Sequence, residues 1–100
     1  MQGTLQSVDI QKFRLGRVCM TRKVSELVEY GLNIYQYLGR HVNGDWGDID
    51  EDDKQQNEES VMNGGRIFSA YNLSGMPKSR LWVITEADRT VTTFLLPCEY

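Results

Sequence analysis

The sequence predicts a two-layer α+β domain in the order β-α-α-β-β-β, with an antiparallel sheet of about four strands and a helix packed on one face. Three observations predict it. Apolar residues recur at three- and four-residue spacing from Val24 to Leu38, three segments alternate apolar and polar residues in the last third of the chain, and short turn-rich stretches separate those segments. The 100 residues suit one domain spanning 1–100, and 40% hydrophobic with 25% charged residues is the composition of a chain that folds unaided around a modest core.

From Phe13 to Met20 apolar residues alternate imperfectly, with Arg14 and Arg17 between them, as in a short half-buried or edge strand. Thr21 is placed to cap a helix from about Arg22 to Leu38, whose stripe runs through Val24, Leu27, Val28, Gly31, Ile34, Tyr35 and Leu38. Gly31 on that stripe would admit another backbone, and Gly39 is placed to end the helix. A loop rich in turn residues follows, with Trp46 near its middle. The spacing of Asp48 and Glu51 resembles a capping box for a second helix that runs to about Met62, mostly in solvent, where Asn63-Gly64-Gly65 stops it. Three strands then alternate about Ile67–Leu73, Leu81–Thr85 and Val91–Leu96; the stretches around Gly75-Met76-Pro77 and Ala87-Asp88-Arg89-Thr90 are short enough for antiparallel hairpins.

Charge is segregated along the chain. Between Gly44 and Glu59 stand eight carboxylates against Lys54 alone, whereas Lys12, Arg14, Arg17, Arg22 and Lys23 crowd the early part of a chain whose net charge is −3. There is no signal-peptide pattern and no apolar run of spanning length, which leads us to expect a cytoplasmic protein with no membrane partner. Cys19 and Cys98 lack C-x-x-C spacing and read as reduced thiols, packed as small hydrophobes.

The order of elements resembles the barnase/RelE type of small RNase and toxin fold, in which one or two helices precede an antiparallel meander carrying the active residues. A second resemblance rests on Gly16-Arg17-Val18-Cys19-Met20-Thr21-Arg22, Gly44-Asp45-Trp46-Gly47-Asp48, Gly65-Arg66-Ile67-Phe68-Ser69-Ala70-Tyr71 and the run from Leu81 to Thr90. Together these look like a family of small plasmid-related proteins of mobile elements, without an assigned activity.

Metal-independent RNase chemistry would draw an acid–base pair from His41 and Glu86 and cations for phosphate from Arg66 and Arg89. The alternative, which we prefer, sets His41 at a helix C-terminus and leaves the other three as solvated charges beside strands. A binding reading selects Trp46 as a stacking or anchoring residue, or else a plug folded onto the core, and the acids Asp48, Asp50, Glu51, Asp52 and Asp53 as a surface for a basic partner. Tyr71 and Trp82 stand on neighbouring strands as a pair within the core or on a sheet face. Asp48, Asp50, Asp52 and Glu59 fall at calcium-loop positions, yet Asp53 occupies the place where that loop needs glycine, so no metal and no cofactor are expected. These readings converge on a small accessory protein that binds an unidentified protein or nucleic acid, with a second copy of the chain as a further candidate partner.

Overall fold

The computed structural model describes residues 11–78 and 80–100. Its elements are β1 (Arg17–Met20), α1 (Arg22–Glu29), α2 (Ile34–Val42), α3 (Glu51–Asn63), β2 (Ile67–Asn72), β3 (Arg80–Thr85), β4 (Val91–Leu95) and a closing 3-10 turn (Pro97–Glu99). The four strands form one sheet in the order β1-β4-β3-β2. Strands β2, β3 and β4 pair antiparallel, as the hairpin spacing predicts. The first strand corrects the expectation of an all-antiparallel sheet, because β1 lies parallel to β4 with Arg17 opposite Val91 and Met20 opposite Phe94. The sheet is therefore mixed, and α1 and α2 pack on one of its faces.

The single helix expected over 22–38 is two helices. Thr21 caps α1, its hydroxyl accepting from the Val24 N–H at 3.3 Å. The chain then breaks at Gly31, whose φ of 120° no helix accommodates, and Asn33 caps α2 by accepting from the Tyr35 N–H at 3.1 Å. The break re-aims the apolar stripe: Val24, Leu27 and Leu32 enter the main core with Leu81, Val83 and Phe94, while Ile34, Tyr37 and Leu38 pack at its border. Gly39 does not end α2, which continues to Val42. Beneath its far end Phe13, Trp46 and Ile67 form a second core bordered by Leu15, Ile49 and Val61.

The α3 cap is Asp50, with its carboxylate accepting from the Asp53 N–H at 2.8 Å, in place of the expected Asp48–Glu51 box. Although most of α3 is exposed, Asn57 and Ser60 are buried because the helix lies along the outer edge of β2. The Asn57 side-chain amide donates to the Phe68 carbonyl at 2.7 Å and accepts from the Phe68 N–H at 3.0 Å, so one amide imitates a neighbouring strand. Two residues along, the Ala70 N–H donates to the Trp46 carbonyl at 3.1 Å and the Asp48 N–H to the Ala70 carbonyl at 2.7 Å. Gly47 sits between them at φ 78°, where a Cβ would run into the Ala70 carbonyl oxygen. This edge of the sheet is closed by side chain and loop.

Candidate functional site

The sheet separates the residues of the RNase-type reading. His41 stands in the last turn of α2, wholly buried on the helix-covered face, with Nδ1 2.6 Å from Ser69 Oγ and Nε2 2.9 Å from Thr85 Oγ1. Beyond it, Thr85 Oγ1 lies 2.7 Å from Thr92 Oγ1, and the Thr92 hydroxyl donates to the Leu15 carbonyl at 2.7 Å. That carbonyl has no proton to give, so each hydroxyl in turn must donate outward, and the chain assigns the Nε2–H tautomer to His41 with Nδ1 accepting from Ser69. Burial lowers the His41 pKa to about 3, so the ring is a neutral member of the core and is not poised to exchange protons with solvent.

Arg89 is likewise structural. Its guanidinium donates to the carbonyls of Gly65 at 2.6 Å, Ser60 at 2.8 Å, Glu86 at 3.1 Å and Ala87 at 3.2 Å, tying the end of α3 to the β3–β4 turn. Glu86 borders a shallow depression with Ala87, Asp88 and Thr90. Arg66 lies over the Tyr100 ring at 5.5 Å, in the cluster on the sheet face opposite His41. The four side chains therefore do not share one cleft.

The binding candidates also divide. Trp46 is only 4% exposed and plugs the second core, its indole N–H donating to Glu58 at 2.9 Å, which rules out an exposed stacking platform. Asp48 lies 3.5 Å from Arg80 and accepts from the Asn72 amide at 3.2 Å, and Glu51 pairs with Lys54 at 3.3 Å. Asp50 is spent as the α3 cap, while Asp52 is exposed. Of this set, Asp53 alone borders the aromatic cluster described next. Among the described residues no group of histidines, cysteines and carboxylates is arranged to hold a metal ion.

Register places the cluster. Ser69, Tyr71, Leu81, Val83, Thr85, Thr92 and Phe94 face the helices, so Phe68, Ala70, Trp82, Ile84, Thr93 and Leu95 face outward. Tyr71 and Trp82 are thus on opposite faces and do not form the expected pair. Of these, Ala70, Ile84 and Leu95 are buried and Phe68, Trp82 and Thr93 half-buried; α3 borders them at Asp53 and the C-terminal end of the chain at Tyr100. Phe68 and Trp82 meet edge to face at 5.0 Å between ring centres, Trp82 and Tyr100 at 5.5 Å. Asp53, Arg66 and Ile84 complete the walls of an open cavity of about 210 Å³ around these rings. The closing turn is held in place by Glu99, whose carboxylate accepts from Thr21 Oγ1 and from the Leu96 N–H, both at 2.8 Å.

Two other depressions have different chemistry. One, of about 380 Å³ between α1 and the β2–β3 connection, is mostly apolar with Lys23, Glu26 and Lys78 at its rim. A third, beside Tyr71, is occupied by an internal pair: Arg40 donates to Asp45 at 2.7 Å and covers the Tyr71 ring at 4.5 Å, and that hydrogen bond holds the Asp45 carboxyl below its ordinary range.

No family model matches the chain, no curated protein is similar to it, and no solved structure matches it. Phe68, Trp82 and Tyr100 were not singled out together by sequence reasoning, although a signal existed. The parity holding Phe68, Trp82 and Ile84 is too apolar for a fully solvated sheet face.

Proposed function

We propose that the chain is a binding module, a small accessory protein of the mobile-element kind, that holds another macromolecule on the outer face of its sheet and catalyses nothing. One observation carries the reading. Half-buried Phe68 and Trp82 and exposed Tyr100 line an open cavity whose rim carries Arg66 and Asp53, neither in an ion pair among the described residues, and a concave aromatic site with a few polar groups at its edge suits a ligand. His41 and Arg66 lie on opposite sides of the sheet and Arg89 is bound to main-chain carbonyls at the β3–β4 turn, which leaves the RNase-type alternative without a convergent constellation. Free Cys19 and an exposed, unpaired Cys98 suit work in the reducing cytoplasm. A second copy is a further candidate partner, since β1 is an edge strand with Val18 40% and Met20 42% exposed.

A photoreactive amino acid in place of Thr93, on the outer face, tests the reading against one in place of Tyr35, on the helical layer. Irradiation in bacterial cells is expected to attach a macromolecule from position 93 and not from 35. Equal attachment from both positions, or none from 93, sinks the assignment of the binding face.

A further inference from the structure

We propose that the cavity bounded by Phe68, Trp82, Tyr100, Arg66 and Asp53 is a nucleobase site, and that the module's partner is a single strand of nucleic acid presenting an unpaired guanine. The inference rests on the binding-module reading and names its ligand.

Size and lining come first. About 210 Å³ is less than the ~300–1,000 Å³ of pockets that enclose whole drug-sized ligands, and aromatic side chains dominate the walls. Such a site suits one planar ring system inserted from the open side against exposed Tyr100 and the accessible parts of half-buried Phe68 and Trp82, since unpaired bases stack on aromatic side chains.

Charge then selects among planar ligands. Arg66 and Asp53 border the same cavity, yet among the described residues neither side chain forms an ion pair or a side-chain hydrogen bond. A cationic ligand such as a lysine or arginine side chain meets repulsion from Arg66, and a simple carboxylate meets it from Asp53. A nucleotide satisfies both: its phosphate pairs with the guanidinium and its base offers N–H donors to the carboxylate. Of the common bases, guanine sets N1–H and the exocyclic N2–H side by side on one edge, matched to the two carboxylate oxygens. Adenine and cytosine put an acceptor beside their donor, and uracil flanks its single N–H with two carbonyls.

The outer face continues from the cavity across β3 and β4 to Arg17 on β1, three strand spacings or about 14 Å away. That span exceeds one nucleotide and suits a short strand. The acids in the first turn of α3, Glu51, Asp52 and Asp53, keep the phosphate contacts few, so stacking and the base edge carry the binding. With Arg66 and Arg17 as the phosphate contacts, the logarithm of the binding constant is expected to fall against the logarithm of salt with a slope of only about −1.4.

The test is fluorescence anisotropy of labelled short oligouridines carrying one central guanosine or one central adenosine, in ribo and deoxyribo forms, titrated with the full chain. Guanosine strands are expected to bind about 10-fold more tightly than adenosine strands. The Asp53→Asn protein is expected to lose that preference, and Trp82→Leu to weaken every strand about 10-fold. The ribo and deoxyribo arms show which nucleic acid supplies the base. Competition by free guanosine monophosphate as strong as that of the strand overturns the assignment to a strand. Absence of binding, absence of guanine preference, or a preference that survives Asp53→Asn overturns the base site, as does tighter binding of a lysine-rich peptide. Attachment of a protein from position 93 alongside any of these failures leaves the binding module standing and removes only its ligand.

Discussion

His41 shows how a residue that reads as chemistry becomes architecture. Its two nitrogens are engaged by Ser69 and Thr85, and the relay through Thr92 to the Leu15 carbonyl leaves the ring neutral and fixed in one tautomer. Burial depresses the folded-state pKa to about 3 from 6.5, so below pH 6.5 the unfolded chain takes up a proton that the folded chain refuses. Stability conferred by the neutral ring is therefore full above 6.5 and declines toward pH 3, by roughly 1.4 kcal/mol per pH unit. Urea denaturation is expected to show about 2 kcal/mol less stability at pH 5 than at pH 7 from this group, and His41→Gln should flatten that part of the profile. A wild-type profile as flat as the variant's would contradict the buried neutral ring.

Arg89 supports a second prediction at the residue scale. It adopts φ 60°, the left-handed region, while its side chain binds four carbonyls. Backbone and side chain therefore pull in opposite directions on substitution. Arg89→Ala is expected to cost about 3 kcal/mol from lost charge-assisted bonds, and Arg89→Gly about 1 kcal/mol less because glycine accepts the left-handed backbone freely. Thermal denaturation of the two variants side by side measures the difference.

Among elements, the two sheet edges contrast. The β2 edge is sealed by the Asn57 amide and by the Trp46–Asp48 loop, while β1 pairs on one side only within the described sheet. Gly47→Ala forces a side chain against Ala70 and Tyr71 at a positive φ and is expected to destabilise by about 2–5 kcal/mol. Met20→Lys on the other edge should stay within about 0.5 kcal/mol of the parent. Equal midpoints for the two variants would show that the loop contributes nothing to closing the edge. Strand and helix identities were legible because they rest on local alternation and capping: Thr21, the meander and the stop at Asn63-Gly64-Gly65 all stand as read. The parallel setting of β1 was not legible, because it depends on where α1, α2 and α3 deliver the chain, and local pattern carries no record of that. Neither was the helix break, where Gly31 and Asn33 outweigh an apolar stripe that runs through them.

At the scale of the whole molecule, the sheet works as a partition. Its inner face buries the only histidine with the main core, and its outer face displays Phe68, Trp82, Tyr100, Arg66 and Asp53. Sequence reasoning found Arg66 and Asp53 as charged candidates but assigned them to separate constellations, since only the register of β2 on β3 brings a helix acid, a strand-flanking arginine and three aromatics to one side. The partition makes a prediction about chemistry. Metal-independent RNA cleavage needs an acid and a base within reach of the same phosphate, and here the sole imidazole is separated from Arg66 by the sheet while Arg89 is bound to main-chain carbonyls. Incubation of mixed single-stranded RNA with the protein in a chelator is therefore expected to give no cleavage above the buffer rate. His41→Gln should change the denaturation midpoint and leave that rate untouched. Cleavage that vanishes in the His41 variant while the protein remains folded would mean that the ring leaves its buried site to act, and would overturn the structural role that burial and its two hydroxyl partners give His41.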